Sequence, residues 1–189
     1  DDIYFRNGEP EESKGYCTDV FFDEAISFIN KNKENPFLCF LSLNAPHSPF
    51  NVPKEYYELY ENESDLLESQ KRFYGMITNI DDNFGRLHQN VKSLGILDNT
   101  IIIFTTDNGT SNGYKYSKKD KKWLGFNAGM RGTKTSEYDG GHRVPFIIKW
   151  KKGGLFGGHN YSGLSAHVDM LPTLLSFAKI AFNSTKKID

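Results

Sequence analysis

The run Ile101-Ile102-Ile103-Phe104 is wholly apolar, three of its four residues are β-branched, and it stops abruptly at Thr105-Thr106-Asp107-Asn108-Gly109. Branching at Cβ favours extended backbone, and an apolar run without alternation suits a strand buried on both faces. Strands of that kind belong to α/β sheets, whose ligands gather beyond the carboxyl ends of the strands. This strand therefore delivers an acid, an amide and a sharp turn to the place where an α/β protein does its chemistry. Carboxylate and amide oxygens are the donors that a hard cation such as Ca2+ or Mg2+ takes. Asp-Asn-Gly is also ordinary turn chemistry, so on these residues alone both readings of Asp107 and Asn108 stand.

The remaining pattern alternates helix and strand. Phe22, Ile26 and Ile29 recur at spacings of four and three, widened by Val20, Phe21 and Phe28, which predicts a helix from Asp19 with Thr18 or Asp19 as its cap. Pro36 closes it, and Phe37–Leu43 reads as a second doubly buried strand. Residues 52–61 read as a short aromatic helix. Phe73, Ile77, Ile80, Phe84, Leu87, Val91 and Leu94 form one apolar seam, a helix over about 66–94, with Gly95 in the C′ position that needs positive φ. Residues 109–131 read as a long loop, of a length that is usually functional. Val144–Trp150 is a third strand with Pro145 near its start, and a last helix covers His167–Ile180. Residues 1–17 read as polar and irregular. The expected fold class is α/β, a mostly parallel sheet flanked by helices. The 189 residues suffice for one domain.

Bulk properties narrow the function. With 38% hydrophobic and 14% aromatic residues the composition is globular. A net charge of −1 supplies no field for nucleic acid. The basic run Lys118-Lys119-Asp120-Lys121-Lys122 reads as a solvated loop or as the rim of an anion pocket. No segment reaches the ~18 apolar residues of a membrane span, and no signal peptide opens the sequence, which begins Asp1-Asp2-Ile3-Tyr4. Cys17 and Cys39 form no CxxC or metal spacing; Cys39, inside an apolar run, reads as a small buried hydrophobe.

Two further residues suit work on an anion. His47 lies between Pro46 and Pro49, which restrict the backbone that carries it. It suits a general acid or an anion donor, and equally a structural or exposed histidine. Lys134 offers a compact positive charge among Gly129, Gly132, Gly140 and Gly141, residues that permit close backbone approach. His142 and Arg143 are further possible anion contacts, Arg143 also being placed to brace the strand it enters. Oxygen donors, a histidine and a lysine together are what an enzyme acting on an anionic ester needs.

The ordered blocks Tyr16-Cys17-Thr18-Asp19, Ala45-Pro46-His47-Ser48-Pro49, Asp81-Asp82-Asn83-Phe84-Gly85-Arg86, Thr106-Asp107-Asn108-Gly109, Met130-Arg131-Gly132-Thr133-Lys134, Tyr138-Asp139-Gly140-Gly141-His142-Arg143-Val144-Pro145 and Val168-Asp169-Met170-Leu171-Pro172-Thr173-Leu174 resemble the latter part of a sulfatase catalytic domain. The resemblance spans roughly residues 16–178 and implies an alkaline-phosphatase-like α/β fold. It also implies sulfuric ester hydrolysis by the parent protein, with a sulfated small molecule or glycan as substrate. Asp107 and Asn108 match ligands of the family's divalent cation, usually Ca2+. Lys134 matches a lysine on the sulfate group, and His47 a histidine near the leaving oxygen. Periplasmic, secreted or lysosomal localisation is implied by resemblance only.

The family's nucleophile is a formylglycine made from Cys or Ser in a C/S-x-P-S/A-x-R motif, which neither Cys17 nor Cys39 nor any serine here fits. An N-terminal strand ending in a metal-binding Asp-Asp pair and a small C-terminal subdomain are missing as well. Residues 1–189 are therefore expected to be one partial domain, inactive alone. A phosphoester or phosphonate hydrolase of the same superfamily is the first alternative, though such relatives more often carry Asp-His-Gly at positions 107–109. A non-catalytic anion- or glycan-binding module is the second.

Overall fold

The computed structural model describes residues 2–181. The chain divides into two compact units, 1–155 and 156–189. The first opens with a hairpin where irregular chain was expected: β1 (Asp2–Arg6) pairs antiparallel with β2 (Glu9–Ser13), Arg6 opposite Glu9. Asn7 and Gly8 make the turn at φ 54° and 92°, the left-handed pair that a two-residue hairpin needs. The Arg6 guanidinium grips Glu24 through two bonds of 2.7 and 2.6 Å, and Tyr4 meets Phe21 edge-on. Both contacts fasten the hairpin to helix α1 (Cys17–Asn32).

Helix α1 starts slightly earlier than expected, and neither Thr18 nor Asp19 caps it. Thr18 is fully buried. Asp19 instead accepts hydrogen bonds from the side-chain amides of Asn79 (2.8 Å) and Asn83 (2.7 Å). A bond to a buried partner outcompeted the local cap. Phe22, Ala25 and Ile29 form the buried face of α1.

After α1, Phe37–Leu43 joins no strand ladder among the described residues, and with Leu38, Phe40 and Ser42 exposed it is not the doubly buried strand expected. Helix α2 (Lys54–Glu58) then crosses α3 (Glu68–Ser93) at Gly75, where a Cβ would stand 2.9 Å from the Tyr56 carbonyl oxygen. The seam read from sequence is only half of the α3 story. The buried face carries Phe73, Met76 and Val91 with the polar Gln70, Asn79 and Asn83. Ile77, Ile80 and Phe84 instead line a groove beside the strands that follow. The C-terminus ends as expected at Gly95, φ 73°, with Ile96 N bonding Val91 O and Gly95 N bonding Lys92 O. Those two bonds satisfy carbonyls the helix would otherwise leave free.

β3 (Ile102–Thr105) follows a 3₁₀ turn at Leu97–Asn99. β4 (Tyr114–Ser117) and β5 (Lys122–Gly125) form an antiparallel hairpin inside the expected loop. The one-turn helix α4 (Asp139–His142) precedes β6 (Phe146–Lys149). β6 pairs with β3 antiparallel, Ile102 opposite Lys149 and Thr105 opposite Phe146. The α/β class stands, and Phe84 of α3 meets Phe104 of β3 edge-on. The parallel pairing is corrected: every strand pair among the described residues is antiparallel. β3 and β6 are also not buried on both faces, since Phe104, Phe146 and Ile147 are exposed.

In the second unit a 3₁₀ turn (His167–Asp169) leads into α5 (Met170–Phe177), shorter than the helix to Ile180 that its apolar residues suggested. No helix among the described residues is long and apolar enough to cross a membrane.

Candidate active site

β3 ends at Thr105, and the chain turns at once. The Thr106 hydroxyl donates to Asn108 O (3.2 Å). Gly109 N then donates to Gly141 O (2.9 Å), and Lys134 N donates to Thr110 O (2.8 Å). Gly140 N donates to Arg131 O (2.8 Å). Segments 107–110, 131–136 and 138–142 are thus tied main chain to main chain. Side chains have no room at these crossings. A Cβ on Gly109 would stand 1.9 Å from Gly140 O, one on Gly140 2.0 Å from Gly132 O, and one on Gly141 2.0 Å from Ser136 O. The buried Asn127 amide adds bonds to Met130 O (2.7 Å) and Gly132 O (3.2 Å). Thr135, directly after Lys134, sits at φ 74°. A β-branched residue holds that conformation only where its surroundings impose it.

The knot brings Asp107, Asn108 and Lys134 into one loop cluster. Asp107 is exposed, while Asn108 and Lys134 are half-buried. His47 is exposed and makes its hydrogen bonds within its own loop. Its backbone N donates to Asn44 O (2.9 Å), and its ring Nδ1 lies 2.8 Å from Ser48 O. The peptide bonds into Pro46 and Pro49 are both cis. With Nδ1 facing that carbonyl, Nε2 is the nitrogen left for outside work. His142 and Arg143 have other partners: His142 Nε2 is 3.0 Å from Glu137 O, and Arg143 pairs with Asp139 at 3.6 Å.

The segment between Gly109 and Lys134 is fastened to α3. The Tyr74 hydroxyl donates to Gly113 O (2.7 Å) and accepts from Phe126 N (3.1 Å). Burial pushes this phenol above its usual pKa. Gln70 Nε2 donates to Leu124 O (2.9 Å), and Asn112 Nδ2 to Ser69 O (2.7 Å). Tyr114 stacks on Trp123 with ring centroids 4.9 Å apart. The basic run forms the exposed tip of the β4–β5 hairpin, with Lys122 paired to Asp65 at 3.1 Å. The alternation of Tyr114 and Tyr116, followed by Trp123 and Leu124, was the signal for this hairpin, hidden by the charged tip.

The Asp107-Asn108 pair has the donor chemistry of a hard-cation site. No group of three or more His, Cys, Asp or Glu suited to a metal occurs among the described residues. A Ca2+ ion takes six to eight oxygens, so this pair fits as part of a coordination sphere.

The Sulfatase family model matches residues 2–180. The chain belongs to the sulfatase family. It is 33% identical over 189 residues to the uncharacterized sulfatase YdeN of Escherichia coli K12, covering 98% of this chain and 31% of that protein. It is 28% identical to an arylsulfatase of Clostridium perfringens, covering 90% and 40% respectively. Among solved structures, Ps i-CgsB in complex with k-i-k-neocarrahexaose superposes with a TM-score of 0.79 at 30% identity, over 94% of this chain and 37% of that one. The chain thus spans less than half the length of each of these three proteins.

Proposed function

We propose that these residues form the latter part of the catalytic domain of a sulfuric ester hydrolase, and that Asp107, Asn108, Lys134 and His47 are their share of its active site. The observation that supports this most is the main-chain knot, which holds a carboxylate–amide pair and a lysine on one loop cluster beyond a strand end. Asp107 and Asn108 are ligands for a divalent cation, Ca2+ by their oxygen chemistry. The cation, when bound, supplies positive charge to the anionic ester. Lys134 binds the sulfate group as a point charge. His47, its Nδ1 engaged by Ser48 O, presents Nε2 as proton donor to the leaving oxygen. The formylglycine nucleophile lies outside these residues, so the chain alone hydrolyses nothing. The substrate class is a sulfated glycan or small molecule, and the k-i-k-neocarrahexaose named with Ps i-CgsB favours a glycan.

The test is Asp107→Ala in the full-length protein, with kcat and thermal melting read on one sample. Turnover should fall by ~10²–10³ or more, the scale of one lost electrostatic stabiliser, with the melting point little changed. Lys134→Ala should raise KM and lower kcat together. A stable, fully active Asp107→Ala enzyme would defeat the assignment, as would aryl sulfate hydrolysis by residues 1–189 alone.

A further inference from the structure

We propose that the outward face of the β4–β5 hairpin and its basic tip form a binding surface for a sulfated sugar chain, apart from the residues that hold the reacting ester. The register puts Tyr116 directly opposite Trp123 and Tyr114 opposite Gly125. Alternation along a strand then places Tyr114, Tyr116 and Trp123 on one face, and Lys115, Ser117, Lys122 and Leu124 on the other. The second face is turned to the body: Ser117 and Leu124 are buried, and Lys122 pairs with Asp65 at 3.1 Å. The aromatic face is turned outward, with Tyr116 48% and Trp123 53% exposed. Tyr114 stacks on the indole at an interplanar angle of 15°, and Tyr116 meets it edge-on with centroids 5.8 Å apart. The indole is thus held in place before any ligand arrives, so little side-chain freedom remains to be lost on binding. A preset, exposed aromatic surface is what the apolar C–H face of a sugar ring packs against.

The tip supplies the charge. Lys118, Lys119 and Lys121 are exposed and make no ion pair among the described residues. Asp120, the one acid between them, is engaged by Ser117: it accepts a hydrogen bond from the hydroxyl (2.6 Å), and its N donates to Ser117 Oγ (3.2 Å). Lys121 also sits at φ 52°, a conformation that glycine takes freely and lysine does not. A basic residue stands where the backbone favours glycine. Three unpaired ammoniums beside an aromatic face, in a chain whose net charge is −1, complement an anionic ligand with apolar ring faces. Single-stranded nucleic acid shares that description. The choice of the sugar rests on the reading of this chain as part of a sulfuric ester hydrolase, because the hairpin grows from the segment whose ends, Thr110 and Lys134, are joined main chain to main chain at the candidate site.

The test is titration calorimetry on the full-length protein, with a short dextran sulfate, the same dextran unsulfated, oligothymidylate and poly-glutamate as probes, at low and at high salt. Dextran sulfate should bind, and the unsulfated chain should not compete. The triple substitution Lys118→Ser, Lys119→Ser, Lys121→Ser should weaken that binding by ~10-fold, the scale of three solvent-screened ion pairs, and flatten its salt dependence. Trp123→Ala should weaken it to a similar extent and leave the salt dependence as it is, because stacking involves no counter-charge. Lys121→Gly separates a binding residue from a solvated turn: it should melt at or above the parent, since the left-handed backbone is relieved, yet bind dextran sulfate ~2-fold more weakly. Unchanged affinity in the triple variant or in Trp123→Ala would overturn the proposal, as would equal binding of the unsulfated dextran. Should Trp123→Ala not fold, the triple variant and Lys121→Gly, altered only at the exposed tip, decide alone. Tighter binding of oligothymidylate or poly-glutamate than of dextran sulfate would overturn it in favour of a nucleic acid or an acidic protein. No turnover enters these readings. Binding with this pattern by a protein inactive on sulfate esters would defeat the functional reading and leave this one standing, and an active enzyme whose binding ignores the hairpin would do the reverse.

Discussion

One methyl group distinguishes the ways in which glycines hold this site. At Gly109 an added Cβ meets the Gly140 carbonyl oxygen at 1.9 Å, a backbone atom that cannot swing away. Gly129 has open space around it but sits at φ 70°, and Gly85 in α3 has open space without positive φ. Melting of the three alanine variants should rank accordingly. Gly109→Ala should lose ~1–3 kcal/mol and, in the full-length enzyme, turnover. Gly129→Ala should lose about 1 kcal/mol from the left-handed backbone alone. Gly85→Ala should gain a few tenths to ~1 kcal/mol in helix propensity. Close approach was legible in the glycine pattern, as was the position of Asp107 and Asn108 just beyond the end of β3, because a strand end locates the residues that follow it. The carbonyl against which each glycine packs was not, since it lies on another loop. Thr18 and Asp19 show the limit of local rules: both are good caps, yet Asp19 is drawn to Asn79 and Asn83 on another helix.

At the scale of elements, the β4–β5 hairpin hangs on Tyr74, whose hydroxyl serves Gly113 O and Phe126 N at once. Tyr74→Phe leaves both groups without that partner and should cost ~1–3 kcal/mol in urea denaturation. The raised pKa adds a pH signature. Burial favours the neutral phenol, so its contribution is fully present below the unfolded-state pKa of about 10 and is lost as pH rises through the higher folded value. Wild type should therefore destabilise more steeply above pH ~10 than Tyr74→Phe, a difference read from paired melts across alkaline pH. Helices α1 and α3 were legible because their apolar spacing runs for several turns. The β1–β2 hairpin was missed: Asn7-Gly8 was its signal, but the polar β2 (Glu9–Ser13) made the segment read as irregular. Phe37–Leu43 was misread as a doubly buried strand, because a continuous apolar run does not reveal whether its alternate side chains are covered.

For the molecule as a whole, residues 156–166 are exposed and irregular where the second unit begins. Exposed loops of this kind are preferred sites of nicking. Brief chymotrypsin treatment of residues 1–189 should cut first after Phe156, Tyr161 or Leu164 and leave a resistant body ending near Leu155. First cuts within α1 or α3 would contradict that division. The α/β class could be read from element order. The antiparallel β3–β6 pairing could not, because strand direction depends on how the chain returns through the site loops. That return has a further consequence. Lys134 N bonds Thr110 O, so the excursion between them leaves and re-enters the body at one closed neck. The exposed tip at Lys118–Lys121 lies at its far end, beyond the bonds to Tyr74, Gln70 and Ser69. The tip is in effect an exchangeable cassette: tips of other lengths and charges should be accepted there with Asp107, Asn108 and Lys134 left in register, which melting of such grafts would check.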